Sequence, residues 1–353
     1  MKRFILSLVV TMMGTLGLFA QSDLVATLSH GSNIQEFYGM DALAEAYTAA
    51  TAGDVITLSA GVFNAVDIEK DVTLRGVGMI PTEANGSMVT QIANDMKVTL
   101  SEGTATKLTL EGINFLNRVY FYGESQTVFN VTKCRFNEYV GALGVNMQAL
   151  HCVFAGELRS GTSVYGDEWR NTTLHCLNCV MLCVNPQGYI KPNEHSYVCK
   201  IIAENSIIAP NYYNGSPNCQ YTNCIILGTS GWNYYELDAT CVADHCLGIR
   251  HYSDDNHFAQ INNPSNILIG EDNYGGGYFL VFKTFRRGEN NLQETYELTD
   301  EAAATYLGDD GTQVGIYGGS MPFTPTPSIP QVKKFVVKST TDNGKLKVNI
   351  DVE

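Results

Sequence analysis

Apolar residues recur along the middle of this chain as two period-two pairs joined by an odd step, and the whole unit returns seven times. Take Ile113, Cys134, Cys152, Cys179, Ser206, Cys224 and Cys246 as position 0 of each unit. Position −5 then holds Leu108, Phe129, Met147, Leu174, Ile201, Cys219 and Cys241, and position −3 holds Leu110, Val131, Ala149, Cys176, Ala203, Tyr221 and Ala243. Position +2 holds Phe115, Phe136, Phe154, Met181, Ile208, Ile226 and Gly248. Residues two apart share one face of a strand, so each unit predicts two short strands. Both strands face one interior only if the chain turns a corner between −3 and 0. Position −1 holds Gly112, Lys133, His151, Asn178, Asn205, Asn223 and His245. Gly tolerates the positive φ that such a corner uses, and Asn and His are enriched there.

Successive zero positions lie 18 residues apart (134 to 152) to 27 apart (152 to 179), the length of one coil of a parallel β-helix with looped insertions. Helical and leucine-rich repeats need helical spacing in each unit, which these units lack. An earlier rung is expected at Val72, Leu74, Gly76, Val77 and Met79; residues 77–113 then hold a long insertion or an irregular extra coil.

Residues 40–79, MDALAEAYTAATAGDVITLSAGVFNAVDIEKDVTLRGVGM, resemble the N-terminal cap and first coils of the pectate-lyase-like right-handed parallel β-helix superfamily. The resemblance covers residues 41–323. It implies an all-β, single-stranded right-handed solenoid whose open end is plugged by a short helix over residues 41–50. A cap is also physically required, because a terminal rung exposes apolar face and unpaired edge. Residues 308–330, GDDGTQVGIYGGSMPFTPTPSIP, look like the closing segment of secreted bacterial β-helix proteins. Pro325, Pro327 and Pro330 then mark an extended linker, and residues 332–337 and 345–352 alternate about an Asp342-Asn343-Gly344 turn. The expected organisation is one β-helix domain over residues 21–322 and a hairpin tail over 323–353.

Residues 1–20 read as a secretory signal peptide: Lys2 and Arg3, an apolar run from Phe4 to Phe19, and Ala20 at the exit. The alternative is an N-terminal anchor helix, but the run is short for a membrane span and no later stretch matches it. The protein is therefore expected to be secreted. Removing Lys2 and Arg3 leaves 20 of 22 basic residues against 36 acidic ones, which moves the charge from −14 to −16. That balance argues against nucleic acid. It also makes a neutral or weakly charged glycan a simpler partner than an anionic one. The sequons at Asn85, Asn130, Asn171 and Asn214 are read as chance.

Ten Cys in an exported chain invite a disulfide framework. Yet most of them fall on the apolar columns, where stacked core thiols are expected. Cys183 and Cys199 lie off the columns and remain candidates for a bridge. A metal or redox reading of Cys176-x-x-Cys179 is disfavoured, since both occupy apolar positions.

In this superfamily saccharide sites lie on the outer face of the parallel strands, walled by inserted loops. Loops at residues 156–173, 182–199 and 228–240 carry Tyr165, Trp169, Tyr189, Trp232, Tyr234 and Tyr235. These six are the expected ligand-binding residues, stacking on sugar rings of a polysaccharide or cell-surface glycan; the alternative is that they fold inward and close their own loops. Lyases of the superfamily use an Arg or Lys base, often with Ca²⁺ held by carboxylates. The residues open to that role are Arg159, Arg170, Lys191 and Arg250, with Asp167, Glu168, Asp254 and Asp255. None stands in a lyase motif, and the Gly-His-Gly and Arg-Ile-Lys of pectin hydrolases are absent. The expectation is a glycan-binding β-helix without catalysis, metal or cofactor. A β-eliminating lyase with Ca²⁺ and a structural adhesion protein are the alternatives.

Overall fold

The computed structural model describes residues 24–82, 88–100, 107–160, 170–186, 189–190, 196–197, 199–210, 219–228, 237, 240–250, 258, 261–270, 281–284, 295–326, 332–337 and 348–352. Strands take 49% of the chain and helix 7%, so the class is all-β with extensive parallel pairing.

Three ladders account for the parallel pairing between strands. The first runs from Val55–Leu58 through Thr73–Arg75, Lys107–Glu111, residues 128–132 and 146–150, Thr172–Leu177, Cys199–Glu204 and Gln220–Thr222 to Val242–Asp244. The second joins Gly61–Asn64, Thr90–Ala93, Ile113–Phe115, Arg135–Phe136, Val153–Phe154, Val180–Met181, Ile207–Ile208, Ile225–Leu227, Leu247–Ile249 and Ile267–Ile269. The third joins Met96–Thr99, residues 119–122, 140–142, Leu158–Ser160 and 184–186. From residue 107 to 186 the chain visits first, second and third ladder in turn, then returns to the first.

The −3 and +2 columns read from the sequence are registers of these ladders. Leu110, Val131, Ala149, Cys176, Ala203, Tyr221 and Ala243 pair in succession in the first ladder. Phe115, Phe136 and Phe154 pair in the second and stack ring on ring, with centroids 4.9 and 5.0 Å apart and planes within 6°. That distance is the spacing of hydrogen-bonded strands, so strand pairing itself brings each phenyl face onto the next. Both column sets share one core with the third-ladder residues Val98, Phe121 and Ala142.

All seven residues at position −1 have positive φ, from 46° at Asn205 to 67° at Gly112. The corner leaves the next amide without a place in the backbone ladder. The column side chain one circuit on supplies the partner: Cys152 N–H donates to Cys179 Sγ at 3.4 Å, and Cys179 N–H to Ser206 Oγ at 3.0 Å. Each column thiol or hydroxyl in turn donates two residues back, Cys152 to the Leu150 carbonyl, Cys179 to Leu177, Ser206 to Glu204 and Cys224 to Thr222. The column is therefore a hydrogen-bonding column as well as an apolar one.

The nine Cys with described side chains are all free, including the half-buried Cys183, so no Cys183–Cys199 bridge is formed. Cys176 and Cys179 are buried thiols on separate columns.

At the N-terminal end, Val25–His30 pairs antiparallel with both Asn33–Tyr38 and Val55–Leu58, and so covers the first rung's edge. The helix Ala42–Ala49 buries Ala42, Leu43, Ala46 and Tyr47 in the same core as Ile56 and Phe63. Lys70 Nζ donates to the carbonyls of Tyr47 and Ala50 at 2.9 and 3.0 Å, closing the helix C-terminus.

One rung differs from expectation. Leu74 takes its place opposite Leu110, but the partner of Ile113 is Thr90, not Val77. The extra length lies between Arg75 and Thr90, at the corner between first and second ladder, and the described residues there form no further strand. Met79 leaves the column and joins a second apolar cluster.

That second cluster covers the opposite face of the second ladder. Val153, Val180, Ile207, Ile225 and Leu247 meet Val281, Phe282, Tyr296, Leu298, Val314 and Ile316. Residues 308–323 then run back along the −1 corners. Asn223 exchanges hydrogen bonds with Asp309, Asn178 Nδ2 donates to the carbonyls of Ile316 and Gly318, and His151 Nε2 donates to Met321 O at 3.0 Å. Gly319, with φ 75°, lies so close to Asn205 that a Cβ would stand 2.5 Å from Nδ2. The tail strands Val332–Val337 and Val348–Val352 pair antiparallel as a separate two-stranded sheet. Among the described residues, no helix is long and apolar enough to cross a membrane.

Candidate functional site

Of the six aromatic residues expected to bind ligand, Tyr165, Trp169, Trp232, Tyr234 and Tyr235 lie outside the described residues. Tyr189 belongs to a small antiparallel pair, Tyr189–Ile190 with Ser196–Tyr197. Lys191, Asp167, Glu168, Asp254 and Asp255 also lie outside them. The described basic candidates are engaged locally. Arg159 Nη2 pairs with Glu157 at 3.0 Å and Arg170 Nη1 donates to the Gly123 carbonyl at 2.8 Å, while for Arg250 it is the backbone N–H that donates, to the Ile269 carbonyl. Among the described residues, no three His, Cys, Asp or Glu side chains converge on one point.

An aromatic platform does stand on an outer face, and it is built by the third ladder. Met96, Val119, Val140 and Leu158 pair in register and point into the core, so the next position, Lys97, Tyr120, Gly141 and Arg159, points out. Tyr122, two residues on from Tyr120, shares that face. Tyr120 lies 6.4 Å from Tyr122 and 5.7 Å from Tyr139, centroid to centroid. Gly141 is what lets Tyr139 lie over the sheet: a Cβ there would be 2.9 Å from the Tyr139 ring and 3.3 Å from Tyr120. All three rings are half-buried.

Each ring carries its own cation. Lys97 Nζ sits 5.2 Å from the Tyr122 centroid, Arg159 Cζ 5.5 Å from Tyr139, and the Arg118 guanidinium stands beside Tyr120. Asp95, Glu138 and Glu157 stand close by, so the local charge is near balance. Burial pushes the Tyr139 phenol up to about 12, against the opposing pull of Arg159, so it is a neutral hydroxyl. That hydroxyl is buried and has no hydrogen-bond partner.

Next to the platform, the outer face of the first ladder forms a groove of about 420 Å³ lined by Asn130, Thr132, Gln148, His175, Ile202 and Glu204. The pairs Asn130–Gln148, Gln148–His175 and His175–Ile202 are in register across successive rungs. Burial lowers the His175 pKa and Lys200 repels its proton further, with Glu204 opposing, so His175 is neutral near pH 7. Uncharged donors and acceptors predominate.

The sequence reading sought aromatic residues in inserted loops and passed over Tyr120, Tyr122 and Tyr139. The available signal was the outward phase of Tyr120 and Tyr122 on a strand whose neighbour in the Tyr120 column is Gly141. No family model matches the chain, and no curated protein is significantly similar to it.

Proposed function

We propose that this is an exported right-handed parallel β-helix of the pectate-lyase-like type that binds a neutral or weakly charged polysaccharide without cleaving it. The three ladders visited in fixed order support the winding, and parallel crossovers of this kind are right-handed in about 98% of cases. The N-terminal pattern of Lys2, Arg3 and an apolar run supports export.

The binding reading rests on one observation: three tyrosine rings about one sugar ring apart, laid on an outer face over Gly141. Flat ring faces supply large contact area at low entropic cost. The unpartnered Tyr139 hydroxyl calls for an explanation, and a position selected for its ring rather than for its hydroxyl gives one. Balanced local charge favours an uncharged chain. The polar groove beside the platform offers hydroxyl-matching groups for further sugar units.

The test is a glycan array followed by titration of the best ligand. Tyr120→Ala and Tyr139→Ala each weaken binding by at least about tenfold, roughly 1.4 kcal/mol. Gly141→Val, which lifts Tyr139 off the sheet, does the same while leaving both tyrosines in place. Full binding by the Tyr120→Ala/Tyr139→Ala double variant overturns the site. Unsaturated, ultraviolet-absorbing ends released from a uronate polymer overturn the non-catalytic reading.

A further inference from the structure

The N-terminal cap leaves a strand edge open. Asn33–Tyr38 pairs with Val25–His30 on one side, and among the described residues no strand pairs with its other side. The Gly39 amide donates to the Leu24 carbonyl at 2.8 Å, which sets the phase of this pairing. Asn33, Gln35 and Phe37 therefore turn their backbone groups toward Val25–His30, and Ile34 and Glu36 turn theirs outward. Ile34 and Glu36 also stand opposite Ser29 and Thr27 rather than the buried Ala26 and Leu28, so their side chains point away from the core. Ile34 is 67% exposed, and nearby Met40 is 63% exposed. Such an edge is a template for another strand, and natural sheets blunt it with Lys, Pro or a bulge. This strand has none of these; its one charge is Glu36, whose carboxylate accepts from the Tyr38 hydroxyl.

The sequence supplies a matching strand. Residues 4–69 contain no Lys or Arg, and residues 24–69 carry six carboxylates: Glu36, Asp41, Glu45, Asp54, Asp67 and Glu69. Over residues 21–331, 15 basic residues stand against 33 acidic ones, whereas 332–353 hold five Lys against three acidic residues. The tail is thus the basic segment of an acidic chain. Among the described residues its strand Val332–Val337 pairs only with Val348–Val352, and a two-stranded sheet alone is marginal in water. Set antiparallel to Asn33–Tyr38, Val332–Val337 brings Lys334 opposite Glu36 and Val336 opposite Ile34, an ion pair beside an apolar pair. The Cα partner of Lys334 inside the hairpin is Asp351, so charge alternates across the three strands. Pairing the edge with its own copy about Glu36 would instead set carboxylate against carboxylate.

The hairpin of the same chain falls short of this edge. Met321 and Phe323 lie against His151, which follows the strand 146–150, six strand positions from Asn33–Tyr38. An added strand would be the seventh, about 34 Å away at ~4.8 Å per strand. The nine residues from Phe323 to Val332 span at most about 32 Å drawn out straight. A second molecule carries no such tether.

We propose that the edge Asn33–Tyr38 of one molecule takes up the strand Val332–Val337 of a second copy, joining molecules head to tail. One added strand is a small interface beside the ~1,200 Å² of stable complexes, so association is weak, and its charge makes it salt-sensitive. The edge lies on the cap, away from the tyrosine platform, so either reading can fail without the other.

Sedimentation of the full chain over a concentration series tests this. Oligomers grow between micromolar and millimolar concentration at low salt and retreat in high salt. Glu36→Lys and Lys334→Glu each weaken association at least about tenfold. A mixture of the two variants restores it, because each supplies the charge that the other's partner strand now needs. Should a variant fail to fold, the wild type still decides: exchange of the Ile34 and Glu36 amides slows as concentration rises, while that of Gln35 and Phe37 is unchanged. A monomer at millimolar concentration overturns the proposal. So do oligomers indifferent to both charge reversals, no restoration on mixing, or exchange at Ile34 and Glu36 that ignores concentration.

Discussion

Replacing Cys179 separates the two roles that its column can play. In an apolar stack, Val is the better substitute and Ser the worse one. In a hydrogen-bonding column the order reverses. Cys179 Sγ accepts from the Cys152 amide at 3.4 Å and donates to the Leu177 carbonyl at 3.3 Å. Burial pushes the thiol well above its ordinary range, so it is a protonated donor at neutral pH. The Leu177 carbonyl keeps a second donor, the His151 amide at 3.1 Å, and survives the loss. The Cys152 amide has no such reserve. Leaving it buried and unpaired costs about 1–3 kcal/mol, so Cys179→Val loses roughly that, and Cys179→Ala about 1 kcal/mol more for the space left. Cys179→Ser keeps acceptor and donor, as Ser206 already does in the next rung, and costs under about 1 kcal/mol net. Repeat arrays need not unfold in one step, so the readout is amide hydrogen exchange at Cys152 rather than a melting point. The Val and Ala variants speed exchange by about tenfold or more, and the Ser variant by much less. Wild-type protection of Cys152 in the Val variant, with protection lost in the Ser variant, refutes the hydrogen-bonding role.

Two further predictions concern pH. His151 is pushed below its ordinary pKa by burial, with the Met321 carbonyl opposing and Lys133 adding to the shift, so the unfolded chain binds its proton first. Stability at this corner therefore falls as pH drops below about 6.5; NMR titration of His151 gives a pKa below that value, and a pKa at or above it refutes the point. For Asp54, burial alone would raise the carboxyl, but the Thr51 amide, His30 and the Thr51 hydroxyl together hold it below its ordinary value. Its contribution is present above about pH 4 and disappears as pH falls through the lowered folded pKa; exchange at the Thr51 amide rises in that acid range, and an unchanged acid profile in Asp54→Asn counts against it.

What was legible in the sequence was whatever repeats at fixed spacing. The −3 and +2 columns, and the −5 column as far as Ile201, are one register of Cα partners after another, and every −1 residue turns the corner expected of it. The Val77 rung failed because an insertion at a corner moves the true partner, Thr90, thirteen residues downstream in sequence without disturbing the first ladder. The second apolar face was overlooked although Val153, Val180, Ile207, Ile225 and Leu247 are themselves periodic. Its cover arrives from Val281, Phe282, Tyr296, Leu298, Val314 and Ile316, too far along the chain for local pattern to connect. The tyrosine platform escaped for a related reason: Tyr120 and Gly141 are neighbours only through register, and Tyr139 acts from a corner.

The covering segment also bears on where a ligand can sit. Residues 281–282, 296–302 and 308–323 lie on the outer face of the second ladder from Val153 to Leu247 and along the ridge of His151, Asn178, Asn205 and Asn223, which removes that stretch from solvent. The outer faces of the first and third ladders carry the polar groove and the tyrosine rings instead. Two strands, Val119–Thr132 and Val140–Leu150, pass through both ladders without a break in pairing to each other apart from one irregularity after Tyr122. Platform and groove are thus built on the same pieces of backbone and cannot shift independently by more than that irregularity allows. A single sugar engages one ring at most, whereas a chain long enough to reach from Tyr120 to Gln148 engages both surfaces on one rigid support. On the proposed reading, affinity therefore rises steeply with oligosaccharide length and then levels off once both surfaces are filled. A ligand series in which a monosaccharide binds as tightly as a long oligomer contradicts that coupling.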